Sequence, residues 1–203
     1  MLVEDASFKI KIVDMQLLAL NNIFELSYSA ELAQLSEEGA VIIDIGAQKT
    51  LLVVYKDGGP LFTKEIQWGG GVITDDLQNK LTLNFEDAEN IKCFGDQNGN
   101  LPEDVLLTIN EHMENFLQEI KTSLNFYLTA SAEDRIGHCF ITGGSSLLPG
   151  MQEALEGILE INVEYFNPLR KIAFDKKRFS SSQLELIKAT GAVSLGLAMR
   201  RLV

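Results

Sequence analysis

Cysteine and histidine are almost missing from this sequence. Among 203 residues they are represented by Cys93, Cys139, His112 and His138 alone. Two thiols cannot form a disulfide framework, and neither CxxC nor Cys/His zinc spacing is present, so a reduced, cytoplasmic setting is expected. Both cysteines sit beside apolar residues and are expected to be buried thiols. So few imidazoles leave little material for a histidine metal cluster or a hydrolytic triad; the acid/base chemistry available is nearly all carboxylate. Positive charge is scarce too. With 17 Lys+Arg against 29 Asp+Glu the net charge is −12, which withholds the basic face that a phosphate backbone demands and argues against nucleic acid. No apolar run approaches the roughly 18 residues of a membrane span. Met1 to Asp14 is acidic, without a basic n-region or an apolar h-region, so no signal peptide is expected.

What is present is an ordinary globular composition, 46% hydrophobic and 23% charged, at a length suited to one large domain or two small ones. Phe8, Ile10 and Ile12 alternate with Lys9 and Lys11, predicting a half-buried strand to Val13, and Met15 to Ala30 reads as a helix. Val41-Ile42-Ile43 reads as a strand buried on both faces and ends at Asp44-Ile45-Gly46. Thr50 to Tyr55, the turn residues Asp57-Gly58-Gly59-Pro60, and Leu61 to Trp68 complete an antiparallel meander. Gly69-Gly70-Gly71 breaks it, and a helix is expected from about Thr74, capped by that hydroxyl. A short helix over Asn84 to Lys92 precedes a polar loop and a long amphipathic helix after Pro102, with Val105, Ile109, Met113, Phe116, Ile120, Leu124 and Tyr127 in register. His138 to Thr142 reads as a strand, Met151 to Leu159 as a helix and Val163 to Phe166 as a strand. A final helix capped by Ser181-Ser182 is expected to run to Arg201. The segment before it is irregular and carries Arg170, Lys171, Lys176, Lys177 and Arg178. It suits a solvated surface, anionic lipid or an acidic partner. The order β-α, β-β-β-α, inserted helices, β-α-β-α predicts an α/β fold of the ribonuclease-H-like type, a mixed sheet with a three-stranded meander.

Three groups could do chemistry. Asp44-Ile45-Gly46-Ala47-Gln48-Lys49-Thr50 sets a carboxylate, a glycine and a hydroxyl around a tight loop. Such a loop can hold a hydrated Mg²⁺ and face phosphate oxygens, or serve only as a hairpin. Gly143-Gly144-Ser145-Ser146 lies between a strand and a helix, where a flat ligand can approach the backbone, or where a plain turn suffices. Glu89 and Lys92 share one helix face, as a ligand-binding pair or as a surface ion pair.

The order and spacing of these motifs resemble the second half of the actin-like ATPase superfamily. Within it the wording is most similar to the PilM family of type IV pilus assembly. The stretches that carry the resemblance are 13–20, Ile43-Asp44-Ile45-Gly46-Ala47, 85–92, 140–150 and 192–198. The resemblance implies ATP or ADP with Mg as ligand: Asp44, Gly46 and Thr50 facing phosphate, with Asp44 holding Mg through water, and Gly70 lining the cleft. It further implies Glu89 and Lys92 at the ribose, and Gly143, Gly144 and Ser145 at the adenine. Met15-Gln16 stands where that family more often has an acidic residue. Residues 1–30 correspond to the tail of a first actin-like half, and 31–203 to a second domain with a helical insertion at about 84–135. With one half facing the phosphates, weak or absent nucleotide binding and no independent catalysis are expected. The implied role is a cytoplasmic scaffold at the inner face of the inner membrane, docking the tail of a PilN-like pilus protein. A small-molecule kinase or a cell-division or shape protein is the alternative. A nuclease is disfavoured, because Asp44 has no companion carboxylate at the other strand ends.

Overall fold

The computed structural model describes residues 5–7, 9, 12–131 and 135–200. Runs of branched and aromatic residues between glycine-rich turns make β1 (Ala40–Ile45), β2 (Thr50–Lys56) and β3 (Gly59–Ile66), the expected antiparallel meander. β4 (His138–Thr142) pairs parallel with β1, and β5 (Val163–Tyr165) parallel with β4. The sheet order is β3-β2-β1-β4-β5. The C-terminal ends of β1, β4 and β5 therefore share one edge, where ligands bind in open α/β sheets.

Helices cover both faces: α1 (Gln16–Ser27), α2 (Leu32–Glu38), α3 (Gly71–Leu81), α4 (Phe85–Phe94), α5 (Glu103–Ala130), α6 (Met151–Leu159), α7 (Ser181–Thr190) and α8 (Ala192–Ala198). The pleat sorts β1 between two cores. Val41, Ile43 and Ile45 pack with α3, α4, α5 and α6, where Trp68 stacks on Phe116 at 4.1 Å. Ala40 and Ile42 pack with α1 and α8, where Phe24 meets Tyr55 and Phe140 at 5.1 and 5.4 Å. α1 thus belongs to the core of the sheet. It crosses α8 so closely that a Cβ on Gly196 would lie 1.9 Å from the Ala19 carbonyl oxygen.

Several expectations need correction. In the expected strand at Phe8 to Val13, residues 8, 10 and 11 lie outside the described residues, and Lys9, Ile12 and Val13 are not in a strand. Helix α3 begins at Gly71 because Gly71 N–H reaches the Ala47 carbonyl at 2.7 Å, so Thr74 is an interior residue and caps nothing. The final helix is two helices broken at Gly191; its cap is Ser180, which forms a capping box with Gln183. The far end of that expected helix, Arg201, lies outside the described residues. Helix α2 was not anticipated. Cys139 is buried as expected, but Cys93 is exposed.

Candidate functional site

Alternation along β1 turns the Asp44 side chain toward α1. There Gln16, the first residue of that helix, donates Nε2–H to Asp44 Oδ2 at 2.9 Å. Asp44 is 8% exposed, and burial raises its carboxyl above the usual range against the opposing Gln16 bond. β4 leaves the sheet directly beside this carboxylate. Gly143 has φ +89°, and a Cβ there would meet Ile45 O at 2.3 Å and Asp44 Oδ1 at 2.6 Å, so only glycine fits.

Three segments distant in sequence then lock together. Gly46 N–H closes the hairpin onto Lys49 O at 3.0 Å, while the Gly46 carbonyl accepts from Gly70 N–H at 3.0 Å and from Ser145 Oγ at 2.9 Å. Gly70 N–H also lies 3.1 Å from Ser145 Oγ. Thr50 is fully buried and its hydroxyl donates to Trp68 O at 2.9 Å, so it braces the hairpin and does not face the cleft.

Glu89 and Lys92 are not a surface ion pair. Lys92 is 5% exposed, and Nζ donates to Gly70 O at 3.0 Å, Thr74 Oγ1 at 2.7 Å and Glu89 Oε2 at 2.6 Å, which occupies all three ammonium protons. Thr74 Oγ1 donates in turn to Glu89 Oε2 at 2.5 Å. Burial opposes ionisation of Glu89, but the Lys92 and Thr74 bonds and the Lys92 charge outweigh it and hold the carboxyl below the usual range. Among the described residues its second oxygen has only the Cys93 thiol, at 3.5 Å.

These locks frame a cavity of about 530 Å³ lined by Ala47, Glu89, Lys92, Cys93, Gly144, Ser145 and an apolar wall that includes Phe94, Leu101, Leu148 and Leu186. Its size suits a small organic ligand. Of the expected site residues, Glu89, Lys92, Gly144 and Ser145 line it. Asp44, Gly46, Thr50, Gly70 and Gly143 form the framework around it. Thr74 was missed as a member of the network, although it lies four residues past Gly70 on the face that meets α4. The wall residue Leu186 carries no sequence signal. Among the described residues no cluster of three or more His, Cys, Asp or Glu is placed to hold a metal ion.

A ribonuclease-H-like sheet with a loop after its first strand, a glycine turn after its fourth and a cavity between them defines an actin-like protein. Solved structures agree: MreB5 of Spiroplasma citri bound to AMPPNP superposes with a TM-score of 0.62 at 14% identity, over 97% of this chain and 60% of that one. The chain belongs to the family of type IV pilus assembly protein PilM, whose profile matches residues 1–202. A structure of the PilM-PilN type IV pilus biogenesis complex matches at 28% identity and TM-score 0.81, covering 98% of this chain and 55% of that chain. Cell division protein FtsA of Enterococcus hirae is 28% identical over 152 residues, 64% of this chain and 34% of FtsA. The chain thus spans about a third of the length of curated relatives such as FtsA and just over half of the matched chain of the PilM-PilN complex.

Proposed function

We propose that this chain is the nucleotide-facing part of a cytoplasmic type IV pilus assembly scaffold, which binds an adenine nucleotide and engages the cytoplasmic tail of a PilN-like inner-membrane protein. The observation that carries the nucleotide half is the convergence of the post-β1 loop, the Glu89–Lys92 helix and the Gly144–Ser145 turn on one cavity. In the proposed complex the under-partnered oxygen of Glu89 accepts from a sugar hydroxyl, and the apolar wall covers the base. Lys92 contributes indirectly by fixing Glu89. Asp44, a buried carboxylate with one neutral partner, fits a hydrated Mg²⁺, which would supply charge neutralisation to the phosphates. We assign no catalytic residue. The partner half rests on the match to the PilM-PilN complex. The FtsA likeness supports a cell-division scaffold as the second reading, and the family match over residues 1–202 favours the first.

Calorimetric titration of the chain with ATP and ADP, with and without Mg²⁺, tests the cleft. Saturable but weak binding is expected. Glu89→Gln should weaken it at any Mg²⁺ level, and Asp44→Ala should remove only the Mg²⁺-dependent part. Binding that ignores both substitutions would sink the site assignment. Capture of the chain on an immobilised PilN-type cytoplasmic tail tests the partner, and no retention would favour the cell-division reading.

A further inference from the structure

The loop between β5 and α7 runs against the charge of the rest of the molecule. In a chain of net charge −12, Arg170, Lys171, Lys176, Lys177 and Arg178 surround a single acid, Asp175. Asp175 is exposed and bonds to the loop's own backbone: its Oδ1 accepts from Lys177 N–H at 3.0 Å and its carbonyl from Arg178 N–H at 3.1 Å. Arg170 is committed to Glu31 and to the face of Tyr28, 4.9 Å from its centroid. Lys171, Lys177 and Arg178 are exposed and make no ion pair among the described residues. Phe174 and Phe179 flank them and touch edge to face at 6.0 Å, with Phe179 37% exposed. Ile172 anchors the loop on the α1 side of the core, and the Ser180 capping box fixes its other end.

We infer that this loop is a docking surface for a bilayer rich in anionic phospholipid. Unpaired cations beside an exposed Phe179, backed by the half-buried Phe174, match the two components of peripheral membrane binding: attraction to headgroup phosphates and burial of apolar surface at the acyl boundary. The proposal goes beyond the scaffold reading and does not depend on nucleotide. An acidic protein surface would meet the same cations but has no use for the two rings. The negative body of the chain is repelled by the same bilayer, so contact is confined to this loop and orients the molecule.

Sedimentation of the 203-residue chain with vesicles tests it. Binding to phosphatidylglycerol/phosphatidylcholine vesicles at 50 mM salt is expected, with none to pure phosphatidylcholine and a steep loss at 0.5 M salt. Each cation near such a surface contributes about fivefold, so K171E/K177E/R178E should lower partition about 100-fold or more. Phe179→Ser should lower it several-fold at every salt concentration. All four positions are exposed, and an unchanged melting temperature establishes that the variants fold. No partition into anionic vesicles, or partition unaffected by the triple substitution, overturns the proposal. Equal retention on soluble polyglutamate that ignores Phe179→Ser overturns it in favour of an acidic protein partner.

Discussion

Replacing Lys92 by Met keeps an unbranched stem in the same slot and deletes the ammonium group that joins α3 to α4. Three hydrogen bonds vanish, to Gly70 O, Thr74 Oγ1 and Glu89 Oε2. The losses differ in weight. Gly70 O retains the Thr74 N–H at 3.3 Å, and Glu89, whose side chain is 41% exposed, recovers water. A hydrogen bond to a charged group is worth about 1.5–3 kcal/mol, and unpairing a fully buried charge costs about 3–5 kcal/mol. Exposure of Glu89 pulls the ion-pair share toward the surface value of about 0–1 kcal/mol, and removing the buried charge of Lys92 relieves its desolvation. The expected net loss is about 2 kcal/mol at pH 7, or about 4–8 °C in Tm for a domain of this size. Urea melts of wild type, Lys92→Met, Glu89→Gln and the double variant measure it, with a coupling of about 1 kcal/mol expected from the cycle. The pH dependence follows from Glu89, whose folded carboxyl is held below its ordinary value. Such a group stabilises above the ordinary carboxylate range and loses that contribution as pH falls through its lowered folded value. The gap between wild type and Lys92→Met should therefore shrink on acidification below about pH 4.5. A loss under about 0.5 kcal/mol at pH 7, or a gap indifferent to acid, would show that the ammonium does not bridge these helices.

Gly143→Ala should cost about 3 kcal/mol or more, since it forces a left-handed φ on a residue whose Cβ strikes Ile45 O and Asp44 Oδ1. Gly144→Ala is the control: its nearest neighbour is Thr190 Cγ2 at 3.8 Å, so its urea midpoint should move by less than about 0.5 kcal/mol. Gly196→Ala should cost about 1–3 kcal/mol or more by wedging α8 off α1, and equal stability to wild type would disprove that contact. An aromatic disulfide reagent should label one thiol of the native chain and two of the unfolded chain. Cys139 is enclosed and its thiol pushed up by burial; Cys93 reacts slowly because burial and the Glu89 charge push its thiol up as well. Saturating Mg·ATP should protect Cys93, which lines the cavity, and unchanged labelling would count against nucleotide in that cavity.

The fold was legible wherever a local pattern has one physical outcome. Branched residues at 41–43 and 50–55 with the turn at 57–60 can only pack as a meander, and the apolar stripe from Val105 to Tyr127 returns as the 28-residue α5. Contacts between segments were not legible. Glu89 and Lys92 at i,i+3 read alike whether solvated or buried, and the decision lies with Thr74 on another helix and with Gly70 at its start. Gly191 stands among small residues that continue a helix as readily as they break one. Helix α2 lacks a side-chain cap and a long stripe; it is held by Leu35 in the core and by Ser36, which accepts from Gly58 N–H at 2.6 Å and whose carbonyl accepts from Asp57 N–H.

In the candidate site the motif residues serve the framework more than they serve a ligand. Most of the polar atoms that single out the motifs are already occupied within the protein. Ser145 Oγ joins Gly46 to Gly70, Thr50 Oγ1 holds Trp68 O, and the Lys92 protons are all taken. The glycines admit close approach: at Gly69 a Cβ would fall 2.5 Å from the backbone Gly46 O, and at Gly70 it would fall 2.3 Å from the side-chain Ser145 Oγ. These residues build a rigid cleft before any ligand arrives, which lowers the ordering cost of binding. What remains for a ligand is one oxygen of Glu89, backbone at Ala47 and Gly144, an apolar wall and, in the proposed complex, the Asp44 carboxylate for a hydrated Mg²⁺. That inventory suits a nucleoside and offers no free cation to a triphosphate among the described cavity residues. Without Mg²⁺, affinity within this chain should therefore follow the base and sugar more than the phosphate number, with adenosine, ADP and ATP binding within about tenfold of one another, or about 1.4 kcal/mol. A preference for ATP over adenosine of a hundredfold or more without Mg²⁺ would place phosphate-binding groups in this chain that its geometry does not provide.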